Sequence, residues 1–358
     1  LPKPGPRTGD FNAIVKDILT EQPIPGVSIN IGGQSKETDH EGRFSLAGLD
    51  PGDYWVRMER SWYLTKEISY RHLGRPDLIE FYLQPEELLN GRIFYSLDSS
   101  KVDREIYQLD LRTRTYIKLM DLPDSDEVNP SWASSGMIAF QKGTDKNSII
   151  ELFYPVSCSI TSFGAGEHPS LDKSGTIMVY KSGNNVITKE YLDKTKVPKT
   201  YQLAGFNPVI SPDGKNIAYT RGTRKSLLID LNGSEVEFVL DDDFKLDNPC
   251  WSPNGERITF EAYQDSKGQR GIYWIQVLPT LSTKMQQLTI PSGPTEQHKH
   301  PTWDGSGKII YFSRSATYSS RSEIYGVKFS EDQTGQGMDQ WIMVSQGSGS
   351  KDYPCWGE

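Results

Sequence analysis

The sequence is poor in cysteine and has no long apolar run. Three cysteines among 358 residues are too few for a disulfide scaffold, and an odd number cannot pair completely. No stretch approaches the roughly 20 consecutive apolar residues that a transmembrane helix needs. The sequence therefore excludes a small disulfide-rich protein and a helical membrane protein.

Positive charge is also scarce. Asp and Glu outnumber Lys and Arg by 47 to 39, which gives a net charge of −8 and a pI near 5.3. Nucleic acids and anionic membrane surfaces attract proteins with clustered positive charge. We therefore expect neither as a partner, whereas a basic ligand is compatible with this composition.

The motifs of several enzyme classes are missing. The sequence has no G-x-S-x-G nucleophile elbow, no G-x-x-x-x-G-K-[ST] phosphate loop, no H-E-x-x-H zinc motif and no G-x-G-x-x-G turn. Serine hydrolase, nucleotide-binding and zinc-protease functions therefore have no support in the sequence. We expect a protein that is not an enzyme and uses no cofactor.

Turn residues, by contrast, are abundant. Hydrophobic residues make up only 35% of the chain, which contains 32 glycines and 22 prolines. This composition suits short strands joined by turns better than long buried helices. It predicts an all-β protein, and the length suggests about two domains.

One strand–turn–strand pattern recurs in the second part of the chain. Five copies read NPSWASSGMIAF (129–140), HPSLDKSGTIMVY (168–180), NPVISPDGKNIAY (207–219), NPCWSPNGERITF (248–260) and HPTWDGSGKIIY (300–311). A shortened sixth copy, YPCWGE, begins at Tyr353. The prolines at the second position are separated by 39, 39, 41, 52 and 53 residues. Such spacing is typical of one supersecondary unit per repeat, stacked on its neighbours.

Each repeat predicts one four-stranded blade of a β-propeller. Proline suits the start of a strand, and the glycine of turns such as SPDG (211–214) lets the chain reverse between two strands. Alternating segments such as EIYQLDL (105–111) supply the further strands of a blade. Six prolines predict six blades. Because the last copy has no strands after it, we expect its strand to complete the blade formed by residues 91–120.

This repeat resembles the WD40-like PD40 repeat of TolB-like propellers, which prolyl-oligopeptidase relatives also contain. The resemblance covers residues 90–358. It implies a six-bladed propeller closed by its C-terminal strand, and a role in binding proteins in the bacterial envelope or outside the cell. It implies no hydrolase activity here, because the nucleophile motif of those relatives is missing.

Residues 10–86 carry a different pattern, in which short alternating runs and Gly or Pro turns predict a small antiparallel β-sandwich. This segment resembles the carboxypeptidase regulatory-like, transthyretin-like domain. The matching positions are Pro25, Gly26, Thr38, Asp39, Gly42, Phe44, Leu49, Gly52 and Tyr54. The resemblance implies that Asp39 and Gly42 shape a turn, that Phe44 and Tyr54 enter the core, and that the domain has no activity.

The residue before each repeat proline is the strongest candidate for a binding site. These residues are Asn129, His168, Asn207, Asn248, His300 and Tyr353. Innermost strands of a propeller surround its channel, so we expect a polar ring at the channel mouth. Neighbouring acidic residues are Glu127, Glu167, Asp247 and Asp352. They either make the mouth negative and attract a cation or a basic peptide, or are solvated loop carboxylates.

The histidines allow a metal site as an alternative. His298 and His300 would face the same way in an extended strand, which makes them weak candidates for metal ligands. His168 lies three blades from His300, too far for both to bind one ion at bonds of about 2 Å. A solvated rim, or a pocket for a glycan or small molecule, explains the same residues without a metal. We therefore expect no bound metal ion.

Other side chains have two interpretations. Trp55, Trp62 and Tyr63 either form an exposed binding surface or enter the core of the sandwich. Cys250 and Cys355 occupy the same position of the repeat, which predicts small buried strand residues and no redox role.

The sequence thus predicts an exported scaffold, periplasmic or extracellular, that binds protein partners without catalysis. An extended tail at residues 1–9 without an initial Met is typical of a chain whose leader peptide has been removed. Edge strands of the sandwich offer a route to homo-oligomers and self-assembly at the cell surface. The alternative is a propeller-type polysaccharide lyase or a glycan-binding protein that uses the channel mouth.

Overall fold

The protein is described by a computed structural model. It covers residues 9–74, 77–86, 89–99, 103–120, 122–123, 125–144, 147–183, 186–193, 197–201, 205–221, 225–231, 233–282, 284–317, 321–331, 341–345 and 347–358. The chain forms two compact units. Among the described residues, the first comprises those up to Leu89 together with Trp341, and the second comprises the others from Asn90 to Glu358. Every regular element in these ranges is a β-strand, and none of them contains a helix long and apolar enough to cross a membrane. The all-β class is confirmed, while the expected tail lies, except for Gly9, outside the described residues.

The first unit contains seven strands in two sheets. The strands are β1 (Gly9–Asp17), β2 (Ser28–Ile31), β3 (Gln34–Glu37), β4 (Arg43–Leu49), β5 (Gly52–Glu59), β6 (Lys66–His72) and β7 (Asp77–Leu83). One sheet has the order β4-β1-β7 and the other β3-β2-β5-β6. Neighbouring strands are antiparallel except β1 and β7, which pair in parallel.

Both sheets of the first unit contribute to one core. Alternate residues of β1, such as Phe11 and Val15, are buried, and they pack in one cluster with residues of β2, β5 and β7. Phe44 is buried in this cluster and Tyr54 is partly buried against it. The strand period of two residues therefore sets which side chains stabilise the unit.

Asp39 and Gly42 form a turn, as the family resemblance implies. The Asp39 carboxylate accepts hydrogen bonds from the backbone N–H groups of Glu41 and Arg43, at 2.9 and 2.8 Å. Gly42 has φ of +70°, and a Cβ atom there would lie 2.8 Å from the Val15 carbonyl oxygen. Glycine is required at this position by both conformation and space.

The second unit contains six groups of four strands, here called blades 1 to 6. The strands are β8 (Arg92–Asp98), β9 (Arg104–Asp110), β10 (Tyr116–Lys118), β11 (Glu127–Trp132), β12 (Ile138–Lys142), β13 (Ile149–Tyr154), β14 (Ser159–Ala165), β15 (Glu167–Leu171), β16 (Ile177–Ser182), β17 (Val186–Tyr191), β18 (Lys199–Tyr201), β19 (Gly205–Ile210), β20 (Ile217–Arg221), β21 (Ser226–Leu231), β22 (Ser234–Val239), β23 (Phe244–Trp251), β24 (Arg257–Gln264), β25 (Gln269–Gln276), β26 (Gln286–Gln287), β27 (Gln297–Trp303), β28 (Ile309–Ser315), β29 (Glu323–Lys328), β30 (Trp341–Met343) and β31 (Ser350–Gly357). Blade 1 is β10-β9-β8-β31, and blades 2 to 6 follow in chain order from β11 to β30. Blades 5 and 6 share one hydrogen-bonded sheet through a single parallel pairing of Arg270 with Gln297.

The terminal strand joins the sheet that begins the second unit. β31 pairs antiparallel with β8, and Trp356 lies opposite Ile93. The innermost strands β11, β15, β19, β23 and β27 contact one another in succession, and β31 contacts both β27 and β11. Strands from the two ends of the second unit therefore form one blade.

In blades 3 to 6, the side chain of the first residue of the repeat turn holds the chain reversal in place, whereas the turn of blade 2 begins with Ala133. In blade 5, Ser252 Oγ accepts the N–H of Arg257 at 2.9 Å. In blade 3, Asp172 Oδ1 accepts the equivalent N–H, that of Ile177, at 2.7 Å. The DKSG turn therefore keeps the geometry of SPNG although its residues differ, because a carboxylate replaces the hydroxyl as acceptor.

Candidate channel-mouth site

The six residues before the repeat prolines share an unusual backbone conformation. These mouth residues are Asn129, His168, Asn207, Asn248, His300 and Tyr353, and their φ angles lie between 46° and 55°. Each lies where the pairing of its innermost strand shifts register, as at a β-bulge. Asn and His tolerate this left-handed region better than most residues, which gives a physical reason for their frequency in the repeat.

The mouth residues line one cavity. It has a volume of about 160 Å³, and its wall also contains the six repeat prolines and the residue after each proline. Six segments that are distant in sequence thus converge on one point. Their role in binding stays a prediction.

The acidic candidates lie in strands, and two of them are buried. Glu127 and Asp247 are 0% and 8% exposed, so their interpretation as solvated loop carboxylates is wrong. Ser125 Oγ donates to Glu127 at 2.8 Å, and Lys181 forms an ion pair with Glu167 at 2.8 Å. The burial follows from the position of these residues in innermost strands, which are covered by the adjacent blades.

Two of the acids lie next to mouth residues, and one of them makes a hydrogen bond there. The side-chain amide of Asn207 donates to the Asp247 carboxylate. Asp352 Oδ1 lies 4.0 Å from His300 Nδ1. These carboxylates therefore form a second layer next to the mouth residues and add negative charge to the channel mouth.

Gln141 and Glu261 connect neighbouring blades at the mouth. Gln141 Oε1 accepts the side-chain amide of Asn129 in its own blade and the backbone N–H of His168 in the next, at 2.9 and 3.1 Å. Glu261 accepts from Asn248 in its own blade and from the backbone N–H of His300 in the next, at 2.8 Å. Each acceptor lies on the second strand of its blade. There it pairs with the residue that precedes the mouth residue on the innermost strand, Val128 for Gln141 and Asp247 for Glu261.

The sequence analysis missed these two bridging acceptors. The available signal was their common distance of 12 or 13 residues after the mouth residue. Glu261 is almost fully buried and forms an ion pair with Arg270. Burial raises the pKa of Glu261, but Arg270, His300 and the hydrogen bonds outweigh this effect and hold the pKa below its ordinary value.

A second set of hydrogen bonds, here called the latches, connects blades one layer further along the channel. Ser131 Oγ accepts the N–H of Leu171 in the next blade at 2.9 Å. Thr302 Oγ1 accepts the N–H of Trp356 at 3.3 Å. The acceptor is the residue after the repeat proline, and the donor lies three residues after the next mouth residue.

The cysteines of the repeat occupy latch positions. The backbone N–H of Trp303 lies near the Cys250 sulfur and that of Trp132 near the Cys355 sulfur, where each N–H favours the thiolate. The thiols themselves donate to the carbonyl oxygens of Trp251 and Trp356, at 3.7 and 3.8 Å. Burial raises the pKa of Cys250 to about 11 and that of Cys355 to about 12. Both thiols are therefore protonated at neutral pH, as expected for structural residues.

His298 belongs to a separate buried network. It is fully buried and hydrogen-bonds with Thr289 Oγ1 at 2.7 Å and with Glu296 Oε1 at 3.2 Å. Burial raises the pKa of Glu296, but hydrogen bonds from His298 and Ser292 and the charge of Arg314 lower it overall to about 2. His298 therefore has a structural environment.

His300 lies in a different environment, although the sequence suggested that the two histidines face the same way. The register shift between Lys299 and Thr302 separates them. His300 lines the cavity, and its ring centroid lies 4.1 Å from that of Tyr353. Burial lowers the pKa of His300. Within the residues that the structure describes, no group of three or more His, Cys, Asp or Glu side chains is arranged to hold a metal.

The blades and their common channel define a β-propeller. A chain similar to this one is TolB from Acinetobacter baumannii, with 14% identity over 86% of this chain and 79% of that chain and a TM-score of 0.61. A second is a putative TolB from Agrobacterium tumefaciens, with 14% identity, 71% and 88% coverage and a TM-score of 0.51. A third belongs to a nidogen/laminin complex, with 12% identity, 74% and 98% coverage and a TM-score of 0.53.

These similarities confirm the TolB-like propeller fold. No protein-family model and no curated protein matches the sequence. At such low identity the structural similarity concerns the fold alone. The resemblance of the first unit to carboxypeptidase regulatory-like domains stays a prediction, as does the assignment of the repeat to PD40.

Proposed function

We propose that this protein is an exported, non-catalytic binding protein that holds a side chain or a chain end of a protein partner at the channel mouth. One observation carries the proposal: six non-glycine residues in the left-handed backbone region surround one cavity. Such backbone costs of order 1–3 kcal/mol per residue and clusters at functional sites. A ring of these residues is therefore a candidate for a preformed binding site.

The size and charge of the cavity favour a small part of a larger partner. Pockets for whole small ligands usually measure about 300–1,000 Å³, and this cavity holds about 160 Å³. The second layer of carboxylates, including Asp247 and Asp352, favours a cationic or amide group. A basic or amide side chain of a protein, inserted from outside, fits both conditions.

The contacts of the candidate residues favour binding over catalysis. Glu167 and Asp247 interact with Lys181 and Asn207, so they hold side chains of the protein in place and also add negative charge beside the cavity. Oligogalacturonide supplied with Mn²⁺ tests the lyase alternative, and release of unsaturated products would contradict the proposal.

Glycine substitution tests the mouth without unfolding the propeller. In Asn129→Gly and His300→Gly the side chain is lost, but glycine adopts the left-handed conformation without strain. We expect the double variant to lose its partner in a pull-down from the envelope fraction of the source organism. It should stay folded, because relief of backbone strain offsets part of the loss of the Asn129–Gln141 hydrogen bond and the His300–Tyr353 contact. Cys158→Gly is the matched control, because Cys158 is exposed in the same unit with φ of 50°. Equal capture by both variants would contradict the mouth as the binding site.

Self-assembly through the first unit is a separate part of the proposal. β6 lies at the edge of its sheet and presents seven residues. The opposite edge strand, β3, has only four residues, and a short edge strand offers few backbone groups for pairing. Of the two edges of this sheet, we therefore assign self-association to β6. Light scattering after size exclusion tests it, and a monomer at millimolar concentration would contradict it.

A further inference from the structure

An exposed tryptophan lies on the outer face of the first unit, away from its core. Trp55 in β5 is 70% exposed, whereas Trp62 of the same unit is 1% exposed. Its neighbours in β5, Tyr54 and Val56, belong to the core side. The alternation of the strand therefore places the indole ring of Trp55 on the solvent face.

The residues beside Trp55 are small, which leaves the ring accessible. Ser69 of β6 lies directly opposite it. On the other side β2 ends at Ile31, which pairs with Val56, and the following turn consists of Gly32 and Gly33 with positive φ angles. A Cβ atom built on Gly33 would meet no atom within 4 Å. An open, flat aromatic surface results.

Planar polar side chains flank this surface. Arg57 forms ion pairs with Glu67 at 3.0 Å and with Glu59, and Arg71 lies 3.8 Å from Asp53. These five residues occupy the outer face on the strands of Trp55 and Ser69. Three carboxylates and two guanidinium groups leave this area nearly neutral, so it offers hydrogen-bond donors and acceptors without a strong field.

From this arrangement we propose that the outer face of the sheet β3-β2-β5-β6 is a binding site for a neutral carbohydrate, centred on Trp55. The apolar face of a pyranose ring stacks on an exposed indole, which is a large and rigid apolar surface. Vicinal hydroxyl groups then reach the carboxylates and the guanidinium of Arg57, which their ion pairs already orient, so little ordering is required on binding.

The surroundings favour a sugar over a protein or a nucleic acid. The centre of a protein interface is typically depleted of charged residues, whereas Trp55 has charged side chains on its own strand and on β6. A nucleic acid requires a positive surface, whereas the charged residues of β5 and β6 around Trp55 include one more acid than base. The site lies in the first unit and does not depend on the function proposed for the channel mouth.

Titration calorimetry with defined oligosaccharides tests the site. The probes are cellohexaose, chitohexaose, maltohexaose and laminarihexaose, with pentagalacturonate as an anionic comparison. We expect at least one neutral hexasaccharide to bind the wild type, Trp55→Ala to weaken this binding at least about tenfold, and Trp55→Phe to retain most of it. Arg57→Ala should weaken binding to a smaller extent.

Two controls keep the test specific. Leu78→Ala removes another exposed apolar side chain of the same unit, 66% exposed in β7, and should bind as the wild type. His300→Gly should also bind as the wild type, which separates this site from the channel mouth. Absence of binding to all four neutral probes, equal affinity of wild type and Trp55→Ala, or preference for pentagalacturonate would overturn the proposal.

Discussion

The ion pair of Glu261 with Arg270 provides the sharpest test of how the mouth is held together. Glu261 is 1% exposed and accepts hydrogen bonds from two blades. Substitution by alanine removes both acceptors and leaves the guanidinium of Arg270, whose side chain is 25% exposed, without its counter-ion. Breaking a buried pair on one side costs about 3–5 kcal/mol. Because Arg270 is partly solvated, we expect about 3 kcal/mol.

Glutamine at the same position separates hydrogen bonding from charge. Gln141 makes the equivalent contacts in blade 2, so Glu261→Gln should keep both bridges and lose only the attraction to Arg270. We expect a cost of about 1 to 2 kcal/mol, since hydrogen bonds to charged groups contribute about 1.5–3 kcal/mol and neutral ones less.

Chemical denaturation followed by the fluorescence of the propeller tryptophans measures these values. The double variant Glu261→Gln/Arg270→Gln closes a mutant cycle and gives the coupling between the two charges. Because the pKa of Glu261 is lowered in the folded state, its contribution is present above the pKa of an unfolded glutamate and is lost as the pH falls through the folded value. A cost below about 0.5 kcal/mol for Glu261→Ala would refute the bridging role.

Three further predictions concern the second unit. Thr302→Val removes a latch acceptor and should lower the free energy of unfolding by about 1–2 kcal/mol. Cys250→Ser keeps an acceptor and should change the free energy of unfolding by less. Equal losses of the two variants in urea titrations would contradict the latch. Glu296 has a folded pKa of about 2, so its contribution of roughly 3 kcal/mol to stability should disappear as the pH falls from about 4.5 to about 2. In an acid titration, Glu296→Gln should therefore lose less stability over this pH range than the wild type. An acid transition identical to that of the wild type would contradict the role of Glu296. Gly91→Ala places a Cβ atom 2.5 Å from a backbone oxygen of the last strand. It should lower the Tm much more than Gly33→Ala does, because the Cβ atom at position 33 meets no atom within 4 Å. Similar melting curves of the two variants would show that β31 is not held against Gly91.

The repeat determined most of the second unit from the sequence alone. Six prolines at regular spacing gave the number of blades, and the unpaired last copy placed Trp356 beside Ile93. These features are local or periodic, so a single chain displays them directly. The frequency of Asn and His before the prolines was also visible, but its cause was not, because a left-handed backbone was not inferred from the pattern.

Tertiary structure decided how the mouth is built. Gln141 and Glu261 act on residues 27 and 39 positions away. Their spacing after the mouth residue marks a common position in the repeat, but it does not show that they accept hydrogen bonds from another blade. The burial of Glu127 and Asp247 had the same origin, since neighbouring blades cover residues that would be solvated on an isolated strand.

In the first unit, too, the sequence indicated local structure, whereas the tertiary structure decided which side chains are buried. Short alternating runs predicted strands, and the resemblance to carboxypeptidase regulatory-like domains implied the Asp39 turn. The sequence could not show whether Trp55 or Trp62 enters the core, because both belong to aromatic segments of similar composition. Only the packing of the second sheet selects which face of β5 is covered, and this choice leaves Trp55 in solvent.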